Sequence, residues 1–406
     1  MFSLQVRSNS RLHRLLSTRD VGLSIGSHSP EEKVKVLILR DLLRLNWEVT
    51  FQPSKVTLSP PSAYDKKVIR ASMDIKRQEQ IENNSAWLST HAHLAPENLA
   101  SGVDVLRSRI EPVVEVCETQ EQFDLFRVCR FYWSSPYSDY VGRRIKLLVR
   151  DSALPNRPLI GIAALGSSIV HIPERDAWIG WDIRARTENL VYTMDAYVLG
   201  ALPPYNHLLG GKLVSYMLAS NEVREIYSAK YKNKVTNISK RKANRLACIF
   251  TTSLYGKSSQ YNRIKFDGRL LYVPIGRTKG YGTLHLTNET FYAMRELINA
   301  RNILVPNRFG DGPVWRMRVI RTACEMLRID PDFLLRHSFQ RNIYAIPLAR
   351  NFRPFLQGVH TRLNYFDYPM SSLVEFWRER WLSRRKSNPE VIARVVAFLP
   401  EHFTID

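Results

Sequence analysis

Cysteine is scarce in this chain: Cys117, Cys129, Cys248 and Cys324 lie far apart and form no CxxC pair. That fits a reducing compartment and excludes a disulfide framework and a cysteine-held structural zinc. Long apolar runs are missing too, since Val34 to Leu45 is broken by Lys35, Arg40, Asp41 and Arg44, far short of the roughly 18 apolar residues a spanning helix needs. A membrane partner is not expected. Of the ten histidines only His91 and His93 are close, and neither sits in an HExxH-type spacing, so no metal site is read. No G-x-S-x-G elbow, Walker loop or G-x-G-x-x-G occurs, which argues against ATP hydrolysis by this chain and implies no bound cofactor.

Acidic residues are the other shortage. Against 38 Asp and Glu stand 59 Lys and Arg, a net charge of +21, which points to a polyanionic partner, DNA first. The excess is uneven: residues 1–130 carry 18 basic and 16 acidic groups, 131–290 carry 23 and 11, and 291–406 carry 18 and 11. The middle should meet the partner first. Hydrophobic residues make up 44% of the 406, enough to bury a core, and the length allows about two to three domains.

The boundaries read as a basic leader over 1–28, a mainly helical region over 29–110, an α/β core over 111–290 and a helical, basic C-terminal region over 291–406. The leader holds Arg7, Arg11, Arg14 and Arg19 before the first acid, Asp20. It reads as the start of a cytoplasmic protein, with an organelle transit peptide as the alternative. Ser29, Glu31 and Glu32 open a helix; Trp47 to Val56 reads as a strand pair or extended link, and Tyr64, Val68, Ala71 and Ile75 keep a helical stripe.

In the core, Ile145–Arg150 and Leu159–Leu165 are apolar runs separated by Asp151, Pro155, Asn156 and Pro158, a hairpin whose second strand is buried on both faces. A third strand is expected around Ala177–Trp181 and a fourth over Ala196–Leu202. Pro203 and Pro204 end the fourth, and Asn206 then caps a helix with Leu209, Leu213, Met217 and Leu218 on its buried side. Its first turn holds Gly210 and Gly211, so Asn206, Gly210 and Gly211 form a candidate anion or cofactor cradle. The fold class expected is α+β, a central mixed sheet flanked by helices.

The candidate nucleic-acid contacts follow. Arg224 to Arg245 contains Lys230, Lys232, Lys234, Lys240, Arg241, Lys242 and Arg245 against the single acid Glu225. Further strands are read at Leu246–Thr252 and Leu270–Pro274, with two glycine-bearing loops adding Arg263, Lys265, Arg277 and Lys279. Tyr255, Tyr261 and Tyr281 are placed to stack on exposed bases. Asp176 and His207 are weak candidates for a general base, with no catalytic assignment otherwise, and whether the chain is an enzyme stays open.

Three resemblances add to this. Leu335-Arg336-His337-Ser338-Phe339 looks like the Arg-His segment of tyrosine recombinases, with Tyr365 or Tyr368 downstream and Phe333 where that family has a histidine. The order of elements from Ile145 to Tyr216 is similar to the acetyl-CoA-binding core of the GNAT acetyltransferases, although Asn206 to Gly211 keeps the glycines without that family's spacing or basic opener. The broadest resemblance, over about 120–290, rests on Leu159-Ile160-Gly161, on Arg175-Asp176-Ala177-Trp178-Ile179-Gly180-Trp181, on Leu202-Pro203 with His207-Leu208-Leu209, and on Gly276-Arg277-Thr278-Lys279-Gly280. These look like the domain that defines protein A of the Druantia antiphage systems. It implies a component of a multi-protein bacterial antiviral system whose other proteins, including a large helicase-like ATPase, are its partners. Its motif-rich positions are Asp176, Trp178, Trp181, His207, Arg277 and Lys279. An acyl-CoA-dependent acyltransferase and a scaffold for acidic proteins remain the alternatives.

Overall fold

Contacts in the computed structural model, which describes residues 2–4, 29–52, 55–61, 64–134, 142–236, 240–306 and 313–405, divide the chain into two units. The larger is assembled from Asn83–Trp133, Tyr140–Thr278 and Arg341–Asp406, the smaller from Met1–Glu82, Ser134–Asp139 and Lys279–Gln340. Most of the basic leader falls outside the described residues.

The larger unit is built on seven strands: β1 (Pro112–Val116), β2 (Arg144–Asp151), β3 (Leu159–Ser167), β4 (Thr193–Ala201), β5 (Cys248–Ser253), β6 (Val273–Arg277) and β7 (Asn342–Pro347). Their order is β1-β2-β3-β4-β5-β7-β6. Strands β4 and β5 run parallel through Thr193↔Cys248, Met194↔Ile249 and Asp195↔Phe250, and the other neighbours are antiparallel. The expected hairpin is the β2–β3 pair, with Leu148 opposite Ile162. The Asp151 carboxylate closes its end by accepting from the Glu111 amide at 2.8 Å, the Ala153 amide at 3.1 Å and the Tyr205 hydroxyl at 3.0 Å.

Alternation sends successive side chains to opposite faces, and helices cover both. Helix α1 (Gln120–Arg130) places Leu125, Phe126, Val128 and Cys129 against Leu148, Ile162, Ala164 and Val198. On the other face Leu147, Val149, Ala163, Leu165 and Met194 belong to a core that also holds Leu213, Val214 and Met217 of a later helix. The fold is therefore α+β, a mixed sheet flanked by helices.

Three expectations need correction. Residues Pro173–Ile179 form helix α2, not a strand: Pro173 opens it, Glu174 and Asp176 suit its positive end, and Gly180 (φ 75°) closes it in the left-handed region. These end signals outweigh the short apolar run between them. Helix α3 (Ile183–Asn189) follows, capped by Asp182. Asn206 is not a helix cap, because Tyr205–Leu208 is a 3-10 turn and Leu209 (φ 61°) precedes helix α4 (Gly210–Met217). The third correction is β7, within the Pro- and aromatic-rich stretch, which lies between β5 and β6.

Helix α5 (Asn221–Tyr231), capped by Ser220, follows α4, and helix α6 (Met370–Trp377) packs Trp377 into the core with its indole N–H donating to Leu209 O at 3.2 Å.

In the smaller unit, strands at Phe2–Leu4, Glu48–Gln52 and Lys55–Ser59 form an antiparallel sheet. Helix Pro30–Leu43 starts in a Ser29–Glu32 capping box. Its buried Asp41 accepts from the Thr287 amide at 2.8 Å and the Thr290 hydroxyl at 2.6 Å, capping Asn288–Ala300 from a distance.

Candidate nucleic-acid interface

Helix α5 buries Val223, Tyr227 and Tyr231 on one side. The buried side is fixed: the Tyr231 hydroxyl donates to Arg144 O at 3.1 Å, and the Arg143 guanidinium lies 5.9 Å from the Tyr227 ring and 5.8 Å from that of Tyr231. The helix therefore ends with Lys230 and Lys232 exposed. The chain then folds back through a Val235↔Lys242 bridge, with the Ala243 amide donating to Lys234 O at 3.0 Å. Lys230, Lys232, Lys234, Lys240 and Lys242 are all exposed, and among the described residues none has a side-chain partner.

Arg241 and Arg245, expected among the contacts, do another job. Arg241 donates to Glu188 at 2.6 Å and Asn189 at 3.1 Å, tying the folded-back segment to α3. Arg245 donates to Thr361 O at 2.6 Å and lies 4.9 Å from the rings of Tyr192 and Phe355. These two position the lysines.

A second cationic stretch is held from below. Lys212, buried on α4, donates from Nζ to Ser259 O at 2.6 Å, Gln260 O at 3.2 Å and Asn262 O at 3.0 Å, and sits 4.6 Å from the Trp381 ring centre. Burial, then the charges of Arg263 and Arg380, push its ammonium down to about 8. The carbonyl cage still uses all three N–H donors. Arg263 and Lys265 emerge exposed just beyond the stapled loop, as does Arg277 at the end of β6. Lys279 is exposed in the smaller unit. Sequence reasoning passed over Lys212; its one signal was a lysine directly after Gly210-Gly211 on an otherwise apolar helix face.

The expected stacking residues divide. Tyr261 is buried, stacked on Tyr272 at 5.2 Å and edge-on to Tyr344, so it is a core residue. Tyr255 is half-buried, whereas Tyr281 is 40% exposed. Among the described residues of the larger unit, no Phe, Trp or Tyr side chain is exposed.

The remaining candidates are occupied. The Asp176 carboxylate accepts from Arg175 at 2.8 and 2.9 Å, Arg186 at 2.9 Å and the Trp181 indole at 3.0 Å. Burial alone would raise its pKa, but the Arg175 charge and these bonds hold it below the usual carboxylate range, an anchor rather than a base. Trp181 is buried, and Trp178 stacks on Phe352 at 5.0 Å beneath the Arg353 guanidinium. His207 is half-buried in the 3-10 turn, and burial together with the Arg394 charge lowers its pKa. A side chain at Gly210 would come within 2.7 Å of Tyr205 O, and one at Gly211 within 3.3 Å of Gln260, so both glycines serve close packing. Asn206 donates to the Tyr132 hydroxyl at 3.3 Å. In the recombinase-like stretch His337 is buried and Arg336 exposed, and the downstream Tyr368 is buried against Phe366. Burial pushes the thiols of Cys117, Cys129 and Cys324 up to about 12, far from nucleophilic. Among the described residues, no three His, Cys, Asp or Glu side chains are placed to hold a metal.

The family model described as Druantia protein DruA matches residues 63–358. The Druantia protein DruA of Escherichia coli (strain UMEA 4076-1) is 37% identical over 343 residues, covering 84% of this chain and 83% of that protein. No solved structure matches. With the family model spanning the core and a relative aligned over most of both lengths, the chain belongs to the DruA family of Druantia proteins.

Proposed function

We propose that this chain is the nucleic-acid-engaging component of a Druantia-type antiphage defence system, gripping DNA phosphates with the lysines at the end of α5 and the cationic loop stapled by Lys212. Membership of the DruA family makes it a component of such a system. The other proteins of the system, a large helicase-like ATPase among them, are its proposed partners, in the cytoplasm. No described helix is long and apolar enough to cross a membrane.

The observation that carries the DNA reading is the state of the five lysines, exposed without a carboxylate partner on a scaffold that buries Tyr227 and Tyr231 and engages Arg241 and Arg245 in bonds of its own. Ordinary surface lysines sit among acids, and their pairing contributes little. Here the local counter-charge is missing, so phosphate neutralisation with counterion release is the favourable use of these groups. With no exposed Phe, Trp or Tyr among its described residues, the larger unit offers charge without a large flat ring for stacking, which favours backbone contact over base contact.

Fluorescence anisotropy with the nuclease-treated protein and labelled duplex, across a salt series, tests this. Binding that weakens steeply with salt, and that weakens further in a Lys240→Ser, Lys242→Ser variant, is expected. Undetectable binding at low salt would sink the reading.

A second reading, an acyltransferase on a GNAT-like core, draws on the parallel β4–β5 pair and on the glycines that follow β4. The packing at Gly210 and Gly211 leaves little room there. Calorimetry with acetyl-CoA at millimolar concentration separates the two, heat of binding favouring the acyltransferase.

A further inference from the structure

Two stretches that the sequence offers separately, Lys279–Gly282 and Leu335–Phe339, cross each other in the smaller unit. The Gly282 amide donates to Leu335 O at 2.9 Å, the Ser338 amide donates to Gly280 O at 2.9 Å, and between these bonds Tyr281 and Arg336 form an antiparallel bridge. The backbones touch: Gly280 has φ 67°, and a Cβ there would lie 2.6 Å from Ser338 backbone atoms. Ser338 itself is left-handed at φ 61°, and the buried His337 accepts the Phe339 amide at Nδ1, 3.0 Å away. A crossing this tight fixes what it displays.

Partners in an antiparallel bridge carry their side chains on one face, so Tyr281 and Arg336 stand side by side with Lys279 two residues away. Lys279 and Arg336 are exposed. The Tyr281 hydroxyl donates to Asp332 Oδ1 at 2.9 Å and accepts from Arg321, which also reaches Asp332 Oδ1 at 2.8 Å. Partial burial and the bond to Asp332 raise the phenol above its ordinary pKa. It therefore stays protonated at neutral pH, a hydrogen-bond donor with a polarised ring and not a nucleophile. Tyr281 is 40% exposed, and among the described residues its ring meets no other ring. Arg321 bonds its hydroxyl beside the carboxylate of Asp332, Arg336 is its partner in the bridge, and Lys279 lies two residues before it in the chain.

We propose that this cluster holds an unpaired nucleotide, the base stacked on the Tyr281 ring and its phosphate on Arg336 and Lys279. The inference rests on the nucleic-acid reading above and adds a class of ligand to it: a single-stranded or unpaired segment at the smaller unit, where a flat aromatic face and cations coincide. The bridged pair supplies stacking and charge at one place, which the lysines of the larger unit do not.

The test uses the full chain with an oligothymidylate and with a blunt duplex of equal length. Tyr281→Ala should weaken binding of the single strand by about 5- to 100-fold and leave duplex binding within about twofold, and Tyr281→Phe should restore single-strand binding, because stacking needs the ring and not the hydroxyl. Arg336→Ser, which keeps the tyrosine, should flatten the single-strand salt slope by about 0.7. Single-strand binding unchanged by both Tyr281→Ala and Arg336→Ser would overturn the proposal, as would an equal loss on both DNA forms. A wild-type protein that binds neither form would instead overturn the parent reading, so the two failures are distinguishable.

Discussion

Asp195 sits in β4 with its Oδ2 accepting the Ile169 amide at 2.9 Å and its Oδ1 without a partner. Burial lifts its pKa from the ordinary carboxylate range to about 6, opposed by that amide and by Arg175. A carboxyl whose folded pKa is raised favours the fold below its unfolded pKa and loses that contribution as pH rises through the folded value. At neutral pH the buried charge is therefore a cost. Asp195→Asn should raise stability at pH 7 by roughly 1–3 kcal/mol and change little below about pH 3, where the carboxyl is neutral both folded and unfolded. Melting temperature across that pH range decides it, and a variant destabilised at pH 7 would mean that the ionised carboxylate is required by the fold. Gly280 gives the opposite case. Its positive φ and the 2.6 Å approach of the Ser338 backbone leave no space for a methyl group, so Gly280→Ala should cost about 2–4 kcal/mol, measured by denaturant unfolding. Neither effect was legible in the sequence: an aspartate within Thr193–Ala201 and a glycine in a basic loop look ordinary until the segments packed on them, 26 residues away for Asp195, are known.

At the scale of elements, Lys212 ties α4 to the loop that presents Arg263 and Lys265. Lys212→Met keeps the length and apolar stem but leaves the carbonyls of Ser259, Gln260 and Asn262 without their donor. The loss should be about 2–4 kcal/mol, with faster amide exchange over residues 256–264 as its local signature; protection unchanged there would show that the loop holds itself. Elements with strong local signals were readable in advance. Strands β2 and β3 announced themselves by apolar runs around a Pro-Asn turn, and helix Pro30–Leu43 by Ser29 with the acids Glu31 and Glu32 at its start. Helix α2 was misread because its apolar residues Ala177, Trp178 and Ile179 were weighed as a strand, although Pro173 and Gly180 marked a helix's two ends. Strand β7 was missed for a different reason. Asn342–Pro347 is six residues between irregular segments, and only pairing with both β5 and β6 makes it a strand. Of the candidate site, the lysines were legible because exposed like charges leave a direct trace in composition. The structural tasks of Arg241, Arg245 and Tyr261 were not, since their partners Glu188, Thr361 and Tyr272 lie elsewhere in the chain.

For the whole molecule, charge is the property that sequence and structure join most directly. A net +21 repels further positive charge and gathers polyanions over about one Debye length, about 8 Å at physiological salt. Part of the arginine charge is engaged within the architecture: Arg175, Arg241 and Arg245 all meet carboxylates, carbonyls or rings. The lysines at the end of α5 lack such partners, so their share of the field is the share available to a polyanion, which under the proposed function is DNA. Counterion release makes this measurable, because each phosphate neutralised on a duplex contributes about 0.9 to the slope of log affinity against log salt. Replacing Lys240 and Lys242 by serine should lower that slope by about 1.8 if both touch phosphates, while Arg241→Ser should act through stability, lowering the melting temperature. A slope that stays unchanged in the double variant would move the DNA contact off this surface, and the loop stapled by Lys212 would be the next to examine, through Arg263→Ser and Lys265→Ser.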